Sequence, residues 1–204
     1  MAKRRGVTPL LPVFLLPLVF SLFLVQMLLP ASVSAAPLDQ AVCENAAGLN
    51  GVWDSVFHTC TIPSGNTGTI SGTSVEVYEI YQITVASGAT LNVNANLYLY
   101  GGWLNCSGTC NVAAGASIVG AGGTTNPGAI SVGGTLTNNG QLLLGAGDPG
   151  GALFINAGGQ LYNYGNIEVA GHDDLLVQGW LHNYGLLRVL GATTVNVLGT
   201  LNNY

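Results

Sequence analysis

The run His172-Asp173-Asp174 is the one place where groups able to do acid–base chemistry are neighbours in the sequence. Paired carboxylates are what a glycoside hydrolase uses as acid and as base or nucleophile. Aligned with the sequence repeat described below, the run matches Ala192 to Thr194, at a turn and a strand start. A solvated turn is therefore favoured over a catalytic pair, and we predict no catalytic residue.

The same aspartates are weak candidates for a metal site. Asp173 and Asp174, with Asp148 or Glu168, could offer Ca²⁺ the hard oxygen ligands that it prefers. The recurrent glycine and aspartate spacing of a calcium-binding nonapeptide array is missing. The prediction is therefore no metal ion and no cofactor.

A second set of candidate residues is aromatic: Tyr162, Tyr164, Trp180, His182, Tyr184 and Tyr204, called the aromatic strip below. Tyr164, Tyr184 and Tyr204 occupy equivalent outward positions of the sequence repeat. The other three residues lie an even number of positions away from them, which predicts the same face because side chains alternate along a strand. Exposed rings in a row could bind polysaccharide or another protein. The favoured alternative is a self-stacking ladder that only stiffens the molecule. Trp103, Tyr98 and Tyr100 are candidates for extending the strip.

A repeat positions these residues. Units that begin at Gly134, Gly159, Gly179 and Gly199 share the pattern Gly-x-Leu-x-Asn, with spacings of 25, 20 and 20 residues. Weaker copies run from Thr90 to Leu99 and from Trp103 to Val112, with Val93 and Cys106 in place of the asparagine. Repeats of this length indicate a stack of equivalent structural units.

Each unit alternates apolar and other residues with a period of two, as in Leu181, Asn183, Gly185, Leu187 and Val189, which predicts strands with one buried face. An Asn-x-Gly bend, where glycine permits positive φ, divides the first strand from the second. A third short strand is marked by the pairs Ile130 and Val132, Ile155 and Ala157, Leu175 and Val177, and Val195 and Val197. The predicted fold is all-β, a parallel β-helix (β-solenoid) with three short strands in each coil of about 20 residues, over 70–204.

Asn138, Asn163, Asn183 and Asn203 occupy one position of the repeat. Stacked along the solenoid, their side-chain amides could bond to one another and relieve a burial cost of about 1–3 kcal/mol each. We call this set the asparagine ladder. Tolerance of asparagine for left-handed turn geometry is a second, compatible interpretation.

The Gly-x-Leu-x-Asn-x-Gly-x-Leu/Ile units resemble the parallel β-helix repeats of bacterial extracellular and surface proteins, including adhesin-type passenger domains. The segment from Cys43 to Ile62 resembles a small disulfide-closed module that often precedes such repeats, which implies a capping module over 36–69. Pectin-cleaving β-helix enzymes also carry an Asp-Asp pair, but their Asn-Thr-Asp, Gly-His-Gly and Arg-Ile-Lys elements are missing here. The resemblance implies location and shape rather than chemistry.

The first 35 residues have the pattern of a secretory signal peptide. A basic start, Lys3-Arg4-Arg5, precedes a long apolar stretch, and Val33-Ser34-Ala35 supplies small residues before a cut after Ala35. A retained membrane anchor is the alternative, although Pro9, Pro12, Pro17 and Pro30 interrupt the stretch. We therefore predict a secreted or cell-surface protein, with membrane contact only through an uncleaved signal.

Removal of the signal leaves Arg188 as the one cation against nine carboxylates, a formal charge of −8. Nucleic acid is excluded as a partner because phosphate binding relies on clustered Lys and Arg. A polysaccharide lyase is disfavoured because it would need a cationic base. The four cysteines of an exported chain favour disulfides, Cys43 with Cys60 and Cys106 with Cys110, over zinc binding.

The last repeat stops at Tyr204 without an evident cap, which would expose strand edges. Either the chain is a fragment of a longer protein, or this end docks onto another subunit. The favoured function is a non-catalytic extracellular or cell-surface structural, adhesin-like solenoid that contacts itself or other surface proteins. A carbohydrate-binding or carbohydrate-cleaving β-helix is the alternative. A third class, an ice-binding solenoid, needs a regular threonine face, for which Thr193, Thr194 and Thr200 are too few.

Overall fold

The structure, a computed structural model, describes residues 34–145, 150–170, 174–191 and 194–204. The chain is all-β, 2% helical, and forms a parallel β-solenoid of about six turns with three strands per coil. The predicted fold class is thereby confirmed. The predicted signal segment lies outside the described residues except for Ser34 and Ala35. In the described part of the chain, no helix has the length and apolar character needed to cross a membrane.

Three sheets run along the solenoid, and each coil contributes one strand to each of them. Sheet I consists of β2 (Val52–Asp54), β3 (Thr59–Ile62), β6 (Gln82–Val85), β9 (Trp103–Cys106), β12 (Gly128–Val132), β15 (Gly151–Ile155), β18 (Asp174–Val177) and β21 (Thr194–Val197). Sheet II consists of β4 (Thr67–Ile70), β7 (Thr90–Val93), β10 (Thr109–Val112), β13 (Thr135–Asn138), β16 (Gln160–Asn163), β19 (Trp180–Asn183) and β22 (Thr200–Asn203). Sheet III consists of β1 (Ala36–Pro37), β5 (Val75–Tyr78), β8 (Leu97–Tyr100), β11 (Ser117–Ala121), β14 (Gln141–Leu144), β17 (Asn166–Ala170) and β20 (Leu186–Leu190). One short helix, α1 (Gln40–Cys43), precedes the coils.

The core is a set of columns in which equivalent apolar side chains lie on top of one another. In sheet II, Leu136, Leu161 and Leu181 are parallel partners in successive strands, and all three are fully buried. Outward positions of the same strands are partly exposed, so the period-two alternation of the sequence becomes an inside and an outside. A single coil could not bury these side chains. Contacts within the columns therefore hold neighbouring coils together.

Of the two weaker copies, the one from Thr90 has the predicted register, with Val93 at the ladder position, whereas the register of the copy from Trp103 to Val112 is wrong. Leu104 and Cys106 lie in sheet I, opposite Ile130 and Val132, so they do not replace the leucine and asparagine of the repeat. The equivalent strand is β10, in which Val112 lies opposite Asn138. The prediction failed because apolar and polar residues alternate in the same way in all three strands of a coil. In addition, this coil is longer than the others, since Trp103 and its partner Ala129 are 26 residues apart rather than 20.

In the third strand of another copy, β15, the inward pair is shifted relative to the prediction. Leu153 and Ile155 are buried there and pair with Leu175 and Val177 of the next coil. Ala157 follows the end of β15 and is not part of it. The alternation again gave the right period but the wrong starting residue.

Glycine is required at the Asn-x-Gly bend because the backbones of neighbouring coils approach each other closely there. The predicted reason, a positive φ at the glycine, is wrong. Gly165 and Gly185 are not among the residues with positive φ, and neither are the ladder asparagines. A β-carbon on Gly165 would collide with the carbonyl oxygen of Gly140, and one on Gly185 with that of Gly165. Coils therefore meet backbone to backbone at this bend, where no side chain fits.

The N-terminal end of the solenoid is covered. Residues 36–54, called the end cover, comprise β1, α1 and β2, and they lie against the first coil, which starts at Thr59 with β3. Leu38, Cys43 and Leu49 of the end cover are buried in the common core. The predicted disulfide Cys43–Cys60 joins the end cover to β3, and the predicted Cys106–Cys110 joins β9 to β10.

Candidate functional site

The asparagine ladder is a buried chain of hydrogen bonds along sheet II. Asn138 Nδ2 donates to Asn163 Oδ1 at 2.7 Å, Asn163 Nδ2 to Asn183 Oδ1 at 2.6 Å, and Asn183 Nδ2 to Asn203 Oδ1 at 2.5 Å. The second amide proton of Asn163 is also used, because its Nδ2 donates to the Leu186 carbonyl at 3.1 Å. Asn138, Asn163 and Asn183 are almost completely buried. This arrangement satisfies polar groups inside the core and offers nothing to a ligand.

The tyrosines of the aromatic strip form a stack. The ring centroids of Tyr164 and Tyr184 are 5.0 Å apart at an interplanar angle of 7°, and those of Tyr184 and Tyr204 are 4.5 Å apart at 4°. Partial burial raises the pKa of the Tyr184 hydroxyl, and the neighbouring phenols of Tyr204 and Tyr164 act in the same direction. Tyr184 thus has a neighbouring ring on each face, whereas Tyr164 and Tyr204 each stack on one ring.

The other three residues of the strip lie on the outer side of sheet II. The rings of Tyr162 and His182 stack at 5.0 Å and 8°, and those of Trp180 and His182 lie 6.1 Å apart at 12°. Trp180 is 48% exposed. A flat sugar ring needs a free aromatic face. Among the strip residues, Trp180 is the one that combines a large ring with substantial exposure outside the tyrosine stack.

The predicted extension of the strip is wrong. Trp103 belongs to sheet I, where its ring stacks with Phe154 at 6.0 Å and 10°. Tyr98 and Tyr100 belong to sheet III and stack on each other at 5.9 Å. All three are therefore on different faces of the solenoid from the strip, because a coil turns its chain through three sheets and sequence parity alone does not identify the sheet.

The acidic candidates do not form a described site. Asp148, His172 and Asp173 lie outside the described residues, while Asp174 begins β18 and is exposed. Within 34–145, 150–170, 174–191 and 194–204, no three His, Cys, Asp or Glu side chains gather in a way that could hold a metal ion. Glu168 is engaged elsewhere, because its Oε2 accepts from Arg188 Nη1 at 3.1 Å.

Two cavities lie close to the end cover and to Asp174. One of about 290 Å³ lies between the end cover and the first coil, and its lining, which includes Leu49, Ile70 and Ser74, contains no titratable side chain. The other, of about 220 Å³, lies against β15, β18 and β21 of sheet I, and its lining contains Asp174 as a single carboxylate. Neither cavity presents the pair of groups that acid–base hydrolysis requires.

Sequence reasoning missed a polar row on sheet II. Thr67, Thr90, Thr109 and Thr135 are partners in four successive strands and point outward. In the next two coils, Gln160 and Trp180 take the same position and end the row. The row of threonines is thus longer than the three residues Thr193, Thr194 and Thr200 considered in the sequence. A Thr-x-Thr or Thr-x-Asn pattern in each of the four strands would have predicted it.

A contact across three coils was also missed. Glu79, at the corner after β5, accepts a hydrogen bond from the Thr125 amide at 2.6 Å and one from the Thr124 hydroxyl at 3.0 Å. The Thr125 amide and the other donors hold the pKa of the Glu79 carboxyl below its usual value. A β-carbon on Gly123 would overlap this carboxylate. Glu79 therefore ties the corner of the first coil to a loop 45 residues away.

The last coil, formed by β20, β21 and β22, leaves its core positions uncovered. Val189, Val195 and Val197 point to the solenoid axis but are 39%, 46% and 42% exposed. Their equivalents one coil earlier, Val169, Leu175 and Val177, are fully buried. Each strand of the last coil is the outermost member of its sheet.

Comparison with protein-family models, with curated proteins and with solved structures finds no match for this chain.

Proposed function

We propose that the protein is an exported, non-catalytic structural solenoid of the adhesin-like kind, which acts outside the cell or at its surface. The observation that carries the proposal is its continuous core, in which fully buried leucines and the asparagine ladder repeat from coil to coil. Stacked coils of this kind form a stiff body, because each coil is held by many equivalent contacts with its neighbours.

Export is supported by the cysteines. All four form disulfides, and none remains free. Disulfides persist in oxidising compartments and are rare in the cytosol. Together with the basic and apolar N-terminal sequence, this favours a location outside the cytosol, where a stiff rod with neither a catalytic pair nor a metal cluster among its described residues acts through its shape and its surfaces.

The test is incubation of the full chain with a panel of polysaccharides, followed by analysis of the products. The proposal expects that none of them is cleaved. Cleavage that Asp174→Asn abolishes, and that the matched control Glu76→Gln on sheet III leaves intact, would contradict the proposal.

Carbohydrate binding through the aromatic strip is the second candidate, favoured by the half-exposed ring of Trp180 beside His182. A glycan array probed with the full chain should then show binding that Trp180→Ala removes and that Tyr98→Ala, on sheet III, leaves intact. Absence of any bound polysaccharide would rule out this candidate without affecting the structural role.

A further inference from the structure

The stacked tyrosines of the aromatic strip form a row of phenols along the solenoid, with one phenol in each of three successive coils. Tyr164, Tyr184 and Tyr204 make up this row, which we call the tyrosine row. The ring centroids of the first pair are 5.0 Å apart at 7°, and those of the second pair are 4.5 Å apart at 4°. Because the rings of each pair are nearly parallel and in contact, the ring carbons beside one hydroxyl group lie close to the neighbouring ring.

The backbone holds the tyrosine row at this spacing. The amide of Tyr184 donates to the Asn163 carbonyl at 2.8 Å, and the amide of Tyr204 donates to the Asn183 carbonyl at 2.9 Å. Directly after Tyr164 and Tyr184, a glycine lets the coils approach each other backbone to backbone. The ring pairs are therefore fixed by the register of the coils and do not depend on two side chains meeting by chance.

The tyrosine row is accessible from solution. Tyr164 is 53% exposed and Tyr184 is 45% exposed, although their rings are in contact. Tyr162, two residues away on the same side of the solenoid, differs from them. Its partners in the neighbouring strands are Thr137 and His182, so it has no phenol opposite it. The strip thus offers both paired phenols and a phenol that is not paired with another one.

Few other side chains after residue 35 compete for an oxidant. The two methionines of the sequence, Met1 and Met27, precede this point, and all four cysteines are held in disulfides. Thiols and thioethers are the common targets of oxidants in proteins. Lysine, whose amine an amide cross-link would need, occurs once, as Lys3. Oxidation of residues 36–204 therefore falls on aromatic side chains, of which the tyrosine row is a prearranged set.

We infer that the tyrosine row is a site of oxidative modification, at which hydrogen peroxide and an enzyme of the peroxidase class link neighbouring coils through dityrosine. Each of the two phenols loses a hydrogen atom from its hydroxyl group, as an electron and a proton, and one hydrogen peroxide is reduced to two water molecules. A carbon–carbon bond then forms between one ring carbon of each phenol, ortho to the oxygen. The hydrogen on each of these carbons leaves as a proton, and each oxygen regains one, which restores both hydroxyl groups.

The link is favoured by proximity and would fasten successive coils covalently. Holding two reacting groups together in one molecule raises their rate of reaction greatly over that of separate molecules. A bond between Tyr164 and Tyr184 closes a loop of 20 residues, which restricts the unfolded chain as a disulfide does. The inference rests on the proposed export for the place where the oxidant acts. It adds to the structural role a step that hardens the stack after folding.

Two proteases can detect the link because the chain has few cleavage sites. Cleavage after Glu168 separates Tyr164 from Tyr184, and tryptic cleavage after Arg188 separates Tyr184 from Tyr204. The full chain is treated at low concentration with hydrogen peroxide and a haem peroxidase, and the monomer is isolated under denaturing conditions before digestion. Mass spectrometry of the wild type is expected to find the fragments on the two sides of at least one cut joined, with the loss of two hydrogen atoms. N-acetyltyrosine in a parallel reaction shows that the oxidant is active.

Three conservative variants locate the bond. Tyr184→Phe keeps the stacked ring but removes the phenol that both pairs share, so joined fragments should disappear at both cuts. Tyr204→Phe should remove only the link across the cut after Arg188. Tyr162→Phe, the matched control, removes a phenol with no phenol opposite it and should leave the joined fragments unchanged. The linked wild-type monomer should also unfold at a higher temperature than the untreated protein, and treated Tyr184→Phe should show no such shift.

The results that would overturn the inference are equally specific. Fragments that stay separate in the treated wild type, while N-acetyltyrosine couples, would show that the tyrosine row does not react in this way. Joined fragments that persist in Tyr184→Phe, or that are lost to the same extent in Tyr162→Phe, would place the bond elsewhere. The proposed structural role is tested by polysaccharide cleavage instead, so its failure is distinguishable from the failure of the link.

Discussion

The two ends of the solenoid carry the same core columns but treat them differently. Ile62 and Val197 are the first and last members of one column in sheet I, and their exposed fractions are 0% and 42%. At the N-terminal end, 19 non-repetitive residues and a disulfide close the column. At the other end of the described chain, the outermost strand β21 belongs to the repeat itself. Closure of the N-terminal end is therefore a property of non-repetitive sequence added to the coils.

The largest effect is expected where the cover is attached. Replacing Cys43 and Cys60 together by alanine should lower the free energy of unfolding by about 2–5 kcal/mol, since the disulfide closes a loop of 17 residues onto the core. The same change at Cys106 and Cys110 should cost less, because that loop spans four residues. Denaturant unfolding followed by circular dichroism measures both values. An equal loss for the two pairs would contradict a special role of the cover.

A matched pair of leucines compares a closed coil with the open one. Leu181→Ala removes a fully buried side chain and should cost about 2–5 kcal/mol of unfolding free energy. Leu201→Ala changes its direct partner in the last coil, which is only partly buried, and should cost less than half as much in the monomer. Chemical unfolding at low protein concentration gives both numbers. Equal costs would mean that the last coil is covered in solution.

The asparagine ladder allows the same comparison with a polar side chain. Asn163→Ala removes the bond from Asn138 Nδ2, which keeps only the Asn166 carbonyl, and the bond to the side-chain Oδ1 of Asn183 inside the core, which should cost about 1–3 kcal/mol. Asn203→Ala breaks one bond at the exposed end and should cost clearly less. Thermal unfolding of the two variants under identical conditions checks the difference. A larger loss at Asn203 would refute the view that burial gives the ladder its strength.

The smallest effect is expected at Glu79, next to the covered end. Its pKa is lower in the folded chain than in the unfolded one, mainly through the Thr125 amide, so its contribution is present above the unfolded pKa and lost as the pH falls through the folded pKa. Glu79→Gln should therefore lower the stability slightly at pH 7, where the charged carboxylate contributes, and its difference from the wild type should shrink as the pH falls through the folded pKa of Glu79. Melting temperatures across this pH range test it. An identical pH dependence in both proteins would exclude Glu79 as a contributor.

Much of the fold could be predicted because the repeat places residues of the same type at the same position of successive coils. Leu, Asn and Gly at fixed positions gave the strands, their parity and the alignment of Asn138 with Asn163 and Asn183. The strand assignment of Cys106 could not be predicted, since every strand of a coil alternates in the same way and coil lengths vary. Alternation also does not identify the sheet, which is why Trp103 and Tyr98 were placed wrongly.

Surfaces built by the ends were the hardest to predict. The exposure of Val56 and Phe57 depends on how β2 folds back onto β3, and both look like ordinary core residues in the sequence. Glu79 meets Thr125 across three coils, a contact that no local pattern records. Both result from non-repetitive segments, whose positions follow from tertiary packing.

The most direct test of the central claim is amide hydrogen exchange of the wild-type chain, resolved strand by strand. The account predicts that the amides of β13, β16 and β19, which the leucine columns and the asparagine ladder hold together, are strongly protected and open together. Fast exchange of these amides, under conditions where circular dichroism shows the β-structure to be intact, would contradict a continuous core that holds the coils together.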